Sequence, residues 1–393
     1  MKKSPSTPPL PLDEPDPSAG VWSAARGLLV ITTMLTAFGL TMLYSASYGT
    51  AGLKYFSNQL IWITIGAIGG LFVFFTGYKR ICSSAKWWMI ISFLLLVACF
   101  FFKPINGATR WIRFGGISIQ PSEFAKLAVA IFVAKYCAEN PRTFTLLKHR
   151  RGLLVFGAMI SPVILAVLLG RDLGTTVLIS AMSFLTLLVA GLYWRYSIIP
   201  IGFVSLTAVY IWLFDPMRTA RVTSFLRPEE FQQGKGYQLW NSLLALGSGN
   251  WFGVGFMSSH MKAKYLPEAH TDFIISIVGE ELGYFALIAV ILLYAIYCFF
   301  ALRIAVHARN RLGTLLGFAL TMGIVLQAVI NLAVVSGSAP TKGMPAPFIS
   351  YGGSNMIACL LATSLLISIA FDVIEPDYEQ RFQNILPWKK TKR

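Results

Sequence analysis

The chain has 393 residues, of which 55% are hydrophobic and only 13% charged, with a mean hydropathy of +0.64; soluble domains carry roughly 25% charged residues. That balance excludes a soluble globular protein and fits one that spans a membrane. The formal charge of +16 has no soluble basic domain to carry it, so no nucleic-acid partner is expected.

Lys2 and Lys3 lead into the Pro-rich stretch SPSTPPLPLDEPDP with no apolar run directly behind them. A cleaved secretory signal is therefore not predicted, and residues 1–25 read as a disordered cytoplasmic tail. Crossing a bilayer takes about 20 apolar residues. About ten segments qualify, centred on 28–46, 58–75, 87–102, 122–138, 153–169, 174–191, 196–214, 273–301, 313–335 and 354–373. The third, fourth and fifth are short or carry charges. With both ends cytoplasmic, most Lys and Arg fall on the inner loops and tails. Much of the opposing set (Arg218, Arg221, Arg227, Lys235, Lys262, Lys264) lies on one long loop, where the positive-inside bias is weaker. The expected fold is an all-α integral membrane bundle, 26–375, with one long extracytoplasmic loop, 215–272, and a basic cytoplasmic tail, 376–393. Within that loop, GYQLWNSLLALG places Tyr237, Trp240, Leu243 and Leu244 on one helical face. Such a helix either lies at the membrane surface or packs on the protein's own outer face. Cys82, Cys99, Cys137, Cys298 and Cys359 have neither CxxC spacing nor a nearby His, and predict no disulfide and no metal site.

Charges inside spans point to function by default. In the fourth span, QPSEFAKL sets Glu123 and Lys126 on one helical face, either as a structural ion pair or as the lining of a polar cavity reached by a lipid headgroup. Glu280 and Glu281 in the eighth span point about 100° apart. At least one needs a polar partner, and neighbouring helical positions do not make an acid/base pair. Three outward loops combine glycine with cations: GATRWIRFGG with Arg110 and Arg113, GRDLGTT with Arg171 and Asp172, and SAPTKGMPAPFISYGGSN with Lys342. Glycines let a ligand approach the backbone, while Arg and Lys hold phosphate oxygens, so loops of this kind on one face suit an anionic lipid headgroup. The loop YLPEAHTDF presents Glu268, His270 and Asp272 where the eighth span begins. There Thr271 or Asp272 reads locally as a helix cap, and Asp272 alternatively as a general base facing the cationic loops.

The stretches PTKGMPAPFISYGGSN, NGATRWIRFGGISIQPSEFAK, GRDLGTT and LPEAHTDFIISIVGEELG resemble the hallmarks of the SEDS family (shape, elongation, division and sporulation) from the first span to the tenth. TSFLRPEE, GYQLWNSLLALGSG and the contexts of Ala269 and Gly279 resemble its division branch more than its elongation branch. The resemblance implies an ATP-independent peptidoglycan glycosyltransferase that polymerises lipid II in the bacterial inner membrane at the septum. It carries an essential Asp onto Asp272 and functional positions onto Arg110, Glu123, Lys126, Asp172, Lys342 and Ser350. It further implies a class B penicillin-binding transpeptidase and other divisome membrane proteins as partners. No cofactor is required by this reading, although a divalent cation (Mg or Mn) would suit a diphosphate leaving group. A lipid II flippase, an elongation-type polymerase and a structural scaffold are the alternatives.

Overall fold

The computed structural model describes residues 17–104, 107–114, 117–141, 150–192, 223–234 and 236–376. The helices are α1 (Pro17–Ala51), α2 (Lys54–Thr76), α3 (Tyr78–Ser83), α4 (Ala85–Ala98), α5 (Pro121–Glu139), α6 (Arg150–Leu169), α7 (Leu173–Val189), α8 (Tyr237–Ser248), α9 (Met261–Lys264), α10 (Ile274–Val306), α11 (Arg311–Val335) and α12 (Gly353–Ile374). Each expected span falls on a helix except 196–214, which lies outside the described residues. α1 begins at Pro17, so the stretch from Pro17 towards residue 25, expected as tail, is already helical.

Among the described residues five helices, α1, α2, α10, α11 and α12, are long and apolar enough to cross a membrane. α5 is not among them because it carries Glu123, Lys126, Lys135 and Glu139. Its first two turns accommodate Glu123 and Lys126 because α5 is packed among α4, α7, α11 and α12, and both side chains are buried in protein rather than facing lipid. Small residues bring the helices close. A Cβ on Gly66 would stand 2.6 Å from Leu360, and one on Gly70 would stand 2.4 Å from Ser364, so α2 lies directly on α12.

Among the described residues the one departure from helices is a hairpin, β1 (Ile112–Phe114) with β2 (Ile117–Ile119), antiparallel with Ile112 opposite Ile119. It follows the Arg110 loop and delivers Gln120 to the start of α5.

α10 is broken at Gly283, which has φ 78° and ψ −172°. The segment 249–255 crosses the break and takes over the lost bonds. Val254 and Gly255 N–H donate to the carbonyls of Glu280 and Glu281 (2.9 and 3.0 Å), while Tyr284 and Phe285 N–H donate to Asn250 and Trp251 carbonyls (2.9 and 3.4 Å). A break at this depth is tolerated only with such substitutes. The contact also demands glycine, since a Cβ on Gly249 would fall 1.9 Å from the Gly279 carbonyl oxygen. Both carboxylates beside the break are satisfied. Glu280 accepts from Ser259 Oγ and from His260 N–H (2.8 Å), and Glu281 accepts from Ser45 Oγ (2.6 Å) and Lys262 Nζ (2.6 Å). These bonds pin the long loop to the bundle.

α8 packs on α10 through Leu239, Ser242 and Ala245, with Ser242 Oγ donating to the Val335 carbonyl (2.8 Å). It is therefore a helix on the protein's own face. The buried side is offset from the expected one: Leu239, Asn241, Ser242 and Ala245 are buried, while Leu244 is exposed.

Candidate functional site

The loop residues 107–111 and the loops 170–172, 265–273 and 336–352 meet at one end of the bundle. The last of these dives into it. A Cβ on Gly39 of α1 would lie 2.5 Å from Ile349 Cα, and Tyr294 of α10 donates to the Pro347 carbonyl (2.6 Å). Phe348, fully buried with φ 64°, holds the turn inside the protein, where irregular backbone is sheltered from lipid.

Asp272 stands in the turn before α10. Phe273 occupies the cap position and no side chain caps the helix. The capping readings of Asp272 and Thr271 are thus overturned: the Thr271 hydroxyl turns back to Glu268, 2.9 Å from its carboxylate. Among the described residues no hydrogen bond reaches the Asp272 carboxylate. It points across Gly343 towards Arg110, for a Cβ on Gly343 would sit 3.0 Å from Asp272 Oδ2 and 3.3 Å from Arg110 Nη2. Burial pushes its pKa up to about 7; the Arg110 guanidinium opposes the shift, and the charges of Glu268 and Asp172 add to it. A carboxyl tuned to that range holds a proton weakly enough to exchange it near neutrality.

Arg110 is half-buried, and its Nε has no hydrogen-bond partner. Its Nη1 lies 3.8 Å from Asp172 Oδ1. Asp172 itself is fully used by protein: it caps α7 through Thr175 N–H (3.2 Å) and accepts from Gln120 Nε2 (2.9 Å) and Ser122 Oγ (2.8 Å). The structure therefore places Asp172 as the residue that orients Arg110 rather than as one open to a ligand. Arg171, at φ 61°, ties the same loop to the Gly107 carbonyl (3.1 Å). Lys342 is half-buried, has no ion pair among the described residues, and has its pKa lowered by burial. It adjoins Gly343 in the chain and so stands beside the same mouth. His270 stacks on Tyr55 (ring centroids 4.4 Å apart), and its carbonyl accepts from Tyr351 N–H (3.0 Å), which fixes the strand leading to Asp272.

Three expected site residues lie elsewhere. Ser350 is buried, and its Oγ accepts from Ala346 N–H (2.8 Å), closing a turn of the inserted loop; a short hydroxyl locked on the backbone does not reach the mouth. Glu123 and Lys126 form their ion pair at 2.6 Å, one layer deeper, beside a cavity also lined by Met182, Gln327 and Cys359. They are linked to the mouth through Gln327, which accepts from Lys126 Nζ at 2.5 Å and donates to the Pro345 carbonyl at 2.8 Å, and through the Glu123 N–H, which donates to the Gln120 carbonyl at 3.1 Å. Gln327, Asn331, Gln120 and Gly343 went unremarked in the sequence. Their signal was uncharged polarity inside apolar spans and a glycine in a Pro-rich loop, both weaker than a buried charge.

Among the described residues no three His, Cys, Asp or Glu side chains gather as metal ligands, and the five cysteines are free thiols. Asp272 faces the Arg110 guanidinium together with the charges of Glu268 and Asp172.

The chain matches the FtsW/RodA/SpoVE family, described as cell cycle protein, over residues 26–373. It is 35% identical over 358 residues to a probable peptidoglycan glycosyltransferase FtsW of Trichlorobacter lovleyi, covering 87% of this chain and 92% of that one. It is 34% identical to stage V sporulation protein E of Bacillus subtilis, covering 87% and 96%. Its fold matches one chain of a peptidoglycan synthase complex with a TM-score of 0.75 at 24% identity, covering 89% of this chain and 98% of that one. It also matches the rod shape determining protein RodA of Thermus thermophilus with a TM-score of 0.66 at 24% identity, covering 88% and 96%. A multi-pass helical membrane protein matched from its first span to its last, this chain belongs to the FtsW/RodA/SpoVE cell cycle protein family.

Proposed function

We propose that the chain is a peptidoglycan glycosyltransferase that polymerises lipid II into glycan strands for septal wall synthesis, with Asp272 as general base. The observation that carries this reading is the Asp272 carboxylate: it caps no helix, has no hydrogen bond among the described residues, has its pKa raised to about 7, and is held against Arg110 across a glycine. The 4-hydroxyl of the incoming GlcNAc attacks the anomeric carbon of MurNAc on the growing strand. The bond to the undecaprenyl diphosphate oxygen breaks as the new glycosidic bond forms, and Asp272 takes the hydroxyl proton. Attack opposite the leaving group turns an α-linkage into a β-linkage, so no covalent sugar intermediate is needed. Negative charge grows on the diphosphate as it departs. Arg110 and Lys342, which among the described residues have an unpartnered Nε and no ion pair respectively, supply fixed positive charge at that place.

In this reading the loop-bearing end faces outward, both termini are cytoplasmic, and the enzyme works with a class B penicillin-binding transpeptidase among other divisome membrane proteins. A flippase would keep its key acid near midspan; Asp272, in the turn ahead of α10, supports the transferase instead. The test is polymerisation of purified lipid II by the full chain with its cognate transpeptidase, the glycan product being read on a gel. Absence of polymer from that complex would overturn the assignment.

A further inference from the structure

We infer that Asn331 and Gln327 of α11 are positioning residues: their side-chain amides hold Asp272 and the 339–352 loop in reacting register and set both upon the buried Glu123–Lys126 pair. The inference rests on the glycosyltransferase reading above.

The two residues are one helical turn apart and share a face. The Asn331 Nδ2 group donates to the Asp272 carbonyl at 2.8 Å and to the Met344 carbonyl at 2.7 Å. An amide nitrogen has two hydrogens, so one side chain spends its whole donor capacity joining the backbone of the base to the backbone of the loop opposite it. The carboxylate of Asp272 and the space over Gly343 are set by this bridge. One turn earlier, Gln327 repeats the device, donating to the Pro345 carbonyl and accepting from Lys126, which is paired with Glu123.

The loop needs such help because it cannot anchor itself. Pro340, Pro345 and Pro347 lack N–H groups and bar regular pairing. Its buried carbonyls still require donors, and those at 344, 345 and 347 receive them from Asn331, Gln327 and Tyr294. Asn331 is 2% exposed, and its Oδ1 is buried without a partner. An amide kept in an apolar span with an unsatisfied acceptor is unfavourable for packing alone; its double donation is the compensating feature. The same chain of bonds explains how a deeply buried ion pair bears on a reaction at the mouth.

The experiment measures lipid II polymerisation kinetics and melting temperature for Asn331→Ala, Asn331→Asp and Gln327→Glu in the full complex. Each removes the donors, and the last retains a partner for Lys126. The expected result is a kcat lower by roughly 10- to 100-fold, the scale of an ångström-size misplacement, with KM within about twofold and no further loss when Asn331→Ala is combined with Asp272→Asn. Wild-type kcat in these variants, a loss confined to KM, or a full multiplicative loss in the double variant would overturn the inference. Amide exchange over 272–276 and 343–349 gives a second readout that needs no activity and serves if one variant is too unstable to assay. Faster exchange in Asn331→Ala or Gln327→Glu is expected, and unchanged exchange in both overturns the anchoring. Failure of the wild-type complex to polymerise lipid II would instead sink the glycosyltransferase reading, leaving exchange to decide this one.

Discussion

The acids at the start of α10 fall into two groups with different surroundings. Glu280 and Glu281 lie within the helix, buried, and every partner they need is supplied by Ser45, Ser259, His260 and Lys262. Asp272 lies just before the helix, half-buried, with an opposed guanidinium but no hydrogen bond to its carboxylate among the described residues. A buried carboxylate surrounded by donors is a structural clamp, here closing the long loop over the break at Gly283. A carboxylate left unsatisfied beside a cation is destabilising to hold and available to a ligand. The contrast teaches that hydrogen-bond satisfaction, more than burial or charge, separates the acid that works from the acids that hold.

The sharpest way to break this contrast is Asp272→Asn, which should lower polymerisation by roughly 100-fold or more while leaving the melting temperature unchanged or raised. The sign follows from the raised pKa. The fold favours the protonated form, so stability contributed by Asp272 is present below its unfolded pKa near 4 and is lost as pH rises through about 7. A neutral Asn escapes that loss, and any gain should be visible at pH 8 and absent at pH 4. A large drop in melting temperature would show that Asp272 is a structural acid after all.

Glu281→Ala should do the reverse. Removing one partner of a buried pair costs about 3 to 5 kcal/mol, read as a depressed melting temperature and faster proteolysis of the 249–262 segment. Wild-type stability in that variant would remove the clamp. The pH–rate profile comes next in size. In wild type, kcat/KM should rise about tenfold per pH unit below 7 and level off above it, as the base ionises. Arg110→Ala should move that limb to higher pH, because the lost guanidinium was favouring the carboxylate; a shift to lower pH, or none, would detach Arg110 from Asp272. Gly343→Ala, which crowds Asp272 and Arg110 at 3.0 and 3.3 Å, should reduce kcat by roughly tenfold, less than a loss of the base itself. The smallest effect is expected for Ser350→Ala, which removes one turn bond worth about 1 kcal/mol and should leave KM for lipid II unaltered. A large rise in KM would return Ser350 to the substrate.

Sequence by itself determined the class of protein, the positions of the described spans and the residues worth asking about. Long apolar runs in a chain this poor in charge have no other stable home than a bilayer, and ionisable groups within them are rare enough to stand out. The Glu123–Lys126 pair was legible for the same reason, since positions three apart on a helix are neighbours whatever surrounds them. Only the tertiary structure decided what each polar group faces. Local pattern marks Thr271 or Asp272 as a cap and the large apolar residues of α8 as its buried face, while the family resemblance carries a site role onto Ser350. The fold gives the cap position to Phe273, locks Ser350 on Ala346 and buries Ser242. It also brings Gln327 and Asn331 under residues far from them in sequence. Hydrogen bonds between distant segments have no period to read in a single chain, and the role of an acid depends on which donors the rest of the molecule brings to it.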